Sequence, residues 1–502
     1  MENVIILRLR AAARRIAVGL RTQGWRDWLR LATSARRGLL RLATSARRDW
    51  LRLPTSARLT PWQRSPLNRS LLRLALPSIL MNLTVPLLGV VDAAVVGHLE
   101  QPYYLGAVSL GSLIFTILTW AFAFFRMATV GQAAQALGRG DRDGAAHVLG
   151  RGVLLSFGAG ALLAALRDPI GDVAFRWLGG SAEVQHFGRE FFGIVVLSMP
   201  ATLTLQVFQG WFYGVKHPGF PVVLTIAVNA LNIALNLMLV WGYGFKSEGV
   251  ALATLTAQWV GLAVALIGFA MGFRPYARRL RWAPLLQWRP LVALLRLNTD
   301  IFLRTSSLLF ANAYFLSRAA ELGDVALAAN ALLVQLRHVT AYALDGFASA
   351  TEVLVGEAHG ARDRPRLLEA IRLSQVWGLW VGGAISALYG IGWPVVPRFF
   401  TDNGAVQAAT WALYGWIVVE PWISNVCFIL DGVFIGATAT RTMRNSMLGA
   451  VFGVFVPLAL LLQPPLGLHG LWAAYEALYV ARGASLFWVV RRFAQGKREG
   501  LG

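Results

Sequence analysis

The 502-residue chain has one cysteine, Cys427, so it has no partner for a disulfide within the chain and no thiol cluster for zinc or iron–sulfur. Charge is also scarce. Asp, Glu, Lys and Arg make up 14% of residues, where an ordinary soluble domain carries about 25%. So few charges cannot cover a globule of this size. The chain has no G-x-x-x-x-G-K-[ST] loop, no H-E-x-x-H and no G-x-S-x-G. This removes nucleotide hydrolysis, zinc peptidase chemistry and the hydrolase serine elbow, and no cofactor is expected.

What the chain does contain is apolar: 56% of residues are hydrophobic, and 50 glycines are spread throughout. Glycine at that level is ordinary in membrane helices. From Leu71 onward we read twelve segments long enough to cross a bilayer at about 20 residues per crossing. They lie near 71–97, 104–126, 145–166, 188–213, 220–242, 248–272, 291–318, 324–355, 370–392, 408–435, 445–463 and 468–490. Backbone in lipid must satisfy its own hydrogen bonds, so these are helices, not strands. The expected fold class is an all-α polytopic membrane protein with twelve transmembrane helices.

The net charge of +22 suggests nucleic acid until its placement is considered. Residues 1–70 hold 16 Arg and 3 acidic residues, and Arg-Leu-Ala-Thr-Ser-Ala-Arg recurs there from Arg30 and Arg41 with a period of 11 residues. We read 1–70 as a poorly ordered basic extension. Most other basic residues, such as Arg139, Arg142, Arg274, Arg278, Arg279, Arg362 and Arg364, fall in alternate connections between apolar runs. That bias places those connections and both termini in the cytoplasm. It implies a bilayer as partner and no nucleic acid.

The two halves repeat at an offset near 222. Gln135-Ala-Leu-Gly-Arg-Gly-Asp141 matches Glu357-Ala-His-Gly-Ala-Arg-Asp363, and Gly210-Trp-Phe-Tyr-Gly214 matches Gly432-Val-Phe-Ile-Gly436. Six helices per half, an even number, give parallel repeats related by an axis along the membrane normal. The expected organisation is an N-lobe over 71–273, a basic linker over 274–290 and a C-lobe over 291–495.

Ionisable residues inside membrane helices cost about 2.5–3.5 kcal/mol each at the centre on insertion scales, so each is a functional candidate. Asp92, in Gly89-Val-Val-Asp92-Ala-Ala-Val-Val-Gly97, has no basic residue within a turn. Its ionisation could follow a proton or a cation. Asn229, Asn232 and Asn236 share one face of helix five and Thr254 lies in helix six; such amides are ordinarily interhelical glue. Beside Asp92 they could supply hard oxygen donors to a small cation. Pro77 and Pro86 interrupt helix one and invite a kink, while Val85 and Gly89 share the face of Asp92 and are candidate cavity lining. Asp345, Asp431 and Glu352 are weaker polar candidates.

These features together resemble the multidrug and toxic compound extrusion (MATE) transporters, and more closely the DNA-damage-inducible protein F branch. The residues carrying the resemblance are Leu-Ala-Leu-Pro77, Gly89-Val-Val-Asp92, Gly97-His-Leu, Ala341-Tyr-Ala-Leu-Asp345-Gly-Phe, Gly360-Ala-Arg-Asp363, Leu430-Asp-Gly-Val-Phe-Ile-Gly-Ala437 and Met443-Arg-Asn-Ser-Met447. The resemblance implies a cation-coupled efflux antiporter of cationic or amphipathic drugs, acting by alternating access, with Asp92 as coupling carboxylate. It also implies a bend of helix one at Pro77, and Asn232, Asn236 and Thr254 around the acid. Asn236 stands where many relatives carry a carboxylate, which favours H+ over Na+. A sodium-coupled antiporter and a lipid-linked precursor flippase are the alternatives. The expected location is the bacterial inner membrane, as a monomer.

Overall fold

The computed structural model describes residues 66–99, 101–497 and 500–501, with the side chains of 83–88, 90 and 93 left out. The basic extension therefore lies almost wholly outside the described residues, as do the side chains of Val85 and Pro86. Among the described residues there is no strand.

Among the described residues, twelve helices, each over 20 residues long, run in chain order. They are α1 (Pro66–Gly97), α2 (Pro102–Gly138), α3 (Arg142–Ala165), α4 (Ala182–Gly214), α5 (Gly219–Gly242) and α6 (Ser247–Gly272), then α7 (Trp288–Ala320), α8 (Asp324–Gly360), α9 (Arg364–Gly392), α10 (Gly404–Gly436), α11 (Thr440–Leu466) and α12 (Leu468–Ala494). Among the described residues, seven contain a stretch long and apolar enough to cross a membrane by length and composition. Of the remainder, α7, α8 and α12 carry buried ionisable residues, which lowers their hydropathy but turns those residues away from lipid.

Side chains set several helix starts. Asp141 accepts from the Gly144 amide at 2.7 Å to open α3, and Asp363 accepts from the Arg366 amide at 3.0 Å to open α9. These are N-caps, and they occupy equivalent positions in the two repeats. α1 is helical through both Pro77 and Pro86. α2 and α8 run on to Gly138 and Gly360, well past the expected ends at 126 and 355. Their small-residue ends pack on protein, so Gln135 and Glu357 are tolerated there. A helix absent from the sequence reading, Arg167–Leu178, lies between α3 and α4. Its four charged residues disguise it as a loop.

Repeat-equivalent glycines meet repeat-equivalent carbonyls. A Cβ on Gly138 would collide with the Glu357 carbonyl oxygen, and one on Gly360 would collide with that of Gln135. Within the lobes, Gly210 faces the Arg126 carbonyl as Gly432 faces that of Ala348. Lys216 and Thr438, also 222 apart, both take left-handed backbone angles. The two six-helix lobes are thus related by a pseudo-two-fold axis that passes between α2 and α8. Adding a methyl at this seam must move backbone. Gly360→Ala is expected to cut the yield of monodisperse purified protein several-fold. Gly390→Ala, where nothing lies within 4 Å, should leave it unchanged. Equal yields of the two variants by size-exclusion chromatography would contradict the close packing.

Three apolar clusters fill the interior. One lies in the N-terminal half around Phe208, Trp211 and Phe212, and one in the C-terminal half around Tyr414, Phe455, Trp472 and Tyr475. The third bridges both halves through Leu71, Leu74, Tyr213, Leu430 and Phe434. The connection between the halves is docked on α3. Leu285 packs over Gly150, Arg151 donates to the Pro284 carbonyl at 2.8 Å, and Arg279 donates to Asp143 at 2.7 Å. The Arg279 hydrogen bond holds the exposed Asp143 carboxyl below its ordinary range.

Candidate functional site

The N-terminal half brings its polar residues to one place. Asp92 lies about one turn before the end of α1. Asn232 and Asn236, a turn apart on α5, are both buried. Asn236 Nδ2 donates to Asp92 Oδ1 at 2.6 Å and to Asn232 Oδ1 at 3.0 Å. Asn232 Nδ2 donates in turn to Thr254 Oγ1 of α6 at 2.9 Å. Three helices are thus tied to one carboxyl by a chain of amides. At its end the chain presents an amide N–H to Asp92. The backbone of α5 turns into a π-turn at Leu237–Gly242, directly after Asn236; such turns are frequent at functional sites.

No basic group pairs with Asp92 among the described residues; burial and Asn236 account for its surroundings. It is therefore a carboxyl without a counter-ion, held by amides that carry no charge of their own. Gly89 has open space around the position a Cβ would take. Pro77 is half-buried on α1.

The weaker candidates fall elsewhere. Asp345 of α8 accepts from Asn82 of α1 at 3.4 Å, a link between the lobes. Asp431 of α10 is bracketed by Arg304 of α7 and Arg482 of α12, both donating to its Oδ2. Glu352 of α8 is buried, with Oε2 lacking a hydrogen-bond partner. None of the three joins Asp92. Arg482 and Glu476, both in the last helix, are not among the sequence-based candidates. Glu476 interrupts the apolar run Trp472-Ala-Ala-Tyr-Glu476-Ala-Leu-Tyr, a signal of the same kind as Asp92.

The lobes are also latched at the ends of α2, α4 and α8. Gln135 Nε2 donates to the Gly436 carbonyl at 2.8 Å and to Thr438 Oγ1 at 3.1 Å. Lys216 pairs with Glu357 across the lobes, and Arg366 pairs with the same carboxyl from within the C-terminal half. These contacts sit on the face that carries the arginine-rich connections.

A family model described as MatE matches the chain twice, over residues 77–238 and 302–461, once in each half. The chain is 40% identical over 428 residues to DNA damage-inducible protein F of Escherichia coli, covering 85% of this chain and 92% of the relative. It is 24% identical over 323 residues to the probable multidrug resistance protein NorM of Thermotoga maritima, covering 62% and 68%. Among solved structures, MATE in the bent conformation superposes with a TM-score of 0.79 at 19% identity, covering 87% of this chain and 98% of that one. An outward-facing multidrug resistance MATE family transporter superposes at 0.78 and 20% identity, covering 88% and 100%. With twelve helices in two repeated lobes and a family match in each half, the chain belongs to the MatE family of membrane-embedded multidrug efflux transporters, which are secondary transporters and not enzymes.

Proposed function

We propose that this protein is a proton-coupled antiporter that expels cationic, amphipathic compounds across a bacterial inner membrane, with Asp92 as the coupling group. The observation that carries the reading is the unpaired carboxyl of Asp92 at the end of a hydrogen-bonded chain through Asn236, Asn232 and Thr254. A carboxylate without a counter-ion in an apolar surround attracts a cation. Protonation removes that attraction. An acidic outer compartment would protonate Asp92 and release a cationic drug there; the less acidic cytoplasm would remove the proton and restore affinity.

The donor set favours a proton over sodium. Asn236 supplies a neutral amide where a second carboxylate would help neutralise a bare metal ion. The face bearing the arginine-rich connections is the cytoplasmic one, which puts both termini inside, and the lobes 71–273 and 291–495 work as a monomer. The test is substrate-driven proton release from purified protein, recorded with and without sodium. Release on adding a rhodamine dye, unchanged by sodium, is expected. A strict sodium requirement would overturn the ion assignment, and the absence of any release would overturn the coupling.

A further inference from the structure

The connection between the halves carries charge of one sign. Residues 273–290 contain five arginines and no acidic residue. The other arginine-rich connections carry their own acids, Asp141 and Asp143 beside Arg139 and Arg142, and Asp363 beside Arg362 and Arg364. Two short helices, Arg274–Ala277 and Trp282–Leu285, form within the connection. Part of it is fixed to the N-terminal lobe. Leu285 is buried, Phe273 and Tyr276 meet the Trp211 ring edge-on, and Arg279 takes the Asp143 carboxyl. What remains exposed is therefore held in place.

The exposed part is basic and apolar together. Trp282 is 77% exposed, Trp288 75% and Leu286 63%. Arg274, Arg278, Arg281 and Arg289 are exposed among them and make no ion pair among the described residues. An exposed apolar wall adjoins on both sides, through Met271 at the end of α6 and Leu295 early in α7. The charges thus begin where the wall of the two helices ends, at headgroup level. Tryptophan favours that level, with its ring among the upper acyl chains and its N–H in the polar layer. Guanidinium groups there match lipid phosphate, which they can hold through two parallel hydrogen bonds. A soluble polyanion would meet the arginines but not the apolar wall. We propose that this connection is a docking surface for anionic phospholipid, with Arg274, Arg278, Arg281 and Arg289 toward the phosphates and Trp282, Leu286 and Trp288 among the acyl chains. Bound lipid then holds the joint between the lobes at the bilayer surface. This surface is separate from Asp92 and does not depend on the coupling ion.

The test uses full-length protein in detergent, titrated with phosphatidylglycerol, with bound lipid counted by native mass spectrometry. A patch variant, Arg274→Gln, Arg278→Gln, Arg281→Gln, Arg289→Gln, is compared with a charge-matched control, Arg139→Gln, Arg142→Gln, Arg362→Gln, Arg441→Gln, all at exposed positions. Both carry the basic extension, so the difference between them reports the patch. An arginine near an anionic surface contributes about fivefold in affinity, so the patch variant should bind phosphatidylglycerol at least about tenfold more weakly than the control. Trp282→Gln with Trp288→Gln should weaken binding too. Neither glycerol phosphate nor an RNA oligonucleotide should displace the lipid, and phosphatidylcholine should bind the wild type less tightly. Matching melting temperatures without added lipid establish that the variants are folded. Equal binding by the patch variant and the control, no effect of the tryptophan exchange, equal binding of phosphatidylcholine, or displacement by either soluble anion would each overturn the proposal.

Discussion

Replacing Asp92 by Asn should return dye efflux to the level of cells lacking the protein, with membrane abundance unchanged. The substitution is nearly isosteric. The amide oxygen it introduces can still accept from Asn236 Nδ2, which now sits 2.6 Å from Asp92 Oδ1, so the chain to Asn232 and Thr254 survives. Only ionisation is removed. A structural role for the acid would survive that exchange; a coupling role would not. Asp92→Glu keeps the charge but pushes the carboxyl about one bond further along, toward an Asn236 that is already buried, so partial activity is expected. The measurement is rhodamine accumulation in cells at matched abundance by immunoblot. Undiminished efflux by Asp92→Asn would remove the central acid from the mechanism.

The second large effect is on stability. Asp431→Ala should lower the stability of the purified protein by about 3–5 kcal/mol, the range for breaking a buried ion pair by deleting one partner. Asp431 is the shared acceptor of Arg304 and Arg482, and all three are at least nine-tenths buried. Removing it leaves two guanidinium groups facing each other, with Glu352 the remaining acid in electrostatic range of Arg304. The loss should be largely reversed in a variant with Arg304→Met, Asp431→Leu and Arg482→Met, because replacing a whole buried ionic group by apolar residues is often neutral or stabilising. Thermal unfolding in detergent reads both variants. A single variant as stable as the wild type would mean that water reaches the triad.

The sequence shows the fold well because lipid imposes simple rules. Helix length, apolar runs and the placement of arginine are each local or periodic features, and the repeat at an offset near 222 fixes the relation of the halves. The grouping of Asp92, Asn236, Asn232 and Thr254 is also within reach, since three of the four lie on two consecutive helices and the fourth is a lone acid. Interactions between distant helices are not. Arg482 and Asp431 lie on different helices, with nothing in their spacing to announce a pair. The Arg167–Leu178 helix is hidden because charge placed around an amphipathic helix reads locally as a loop. The lengths of α2 and α8 are underestimated because their last turns are shielded by the opposite lobe, so the limits set by lipid do not apply there.

The seam between Gly138 and Gly360 bears on how the two lobes part. Where interlocking leucines or phenylalanines hold two bodies together, pulling them apart exposes broad greasy surface to water, and the door is heavy. Here peptide oxygens rest against bare α-carbons, and both can be wetted readily. The glycine seam by itself therefore adds little apolar area to the cost of parting the lobes; that cost falls on the cluster of Leu71, Tyr213, Leu430 and Phe434 that bridges the halves and on polar latches such as Lys216 with Glu357.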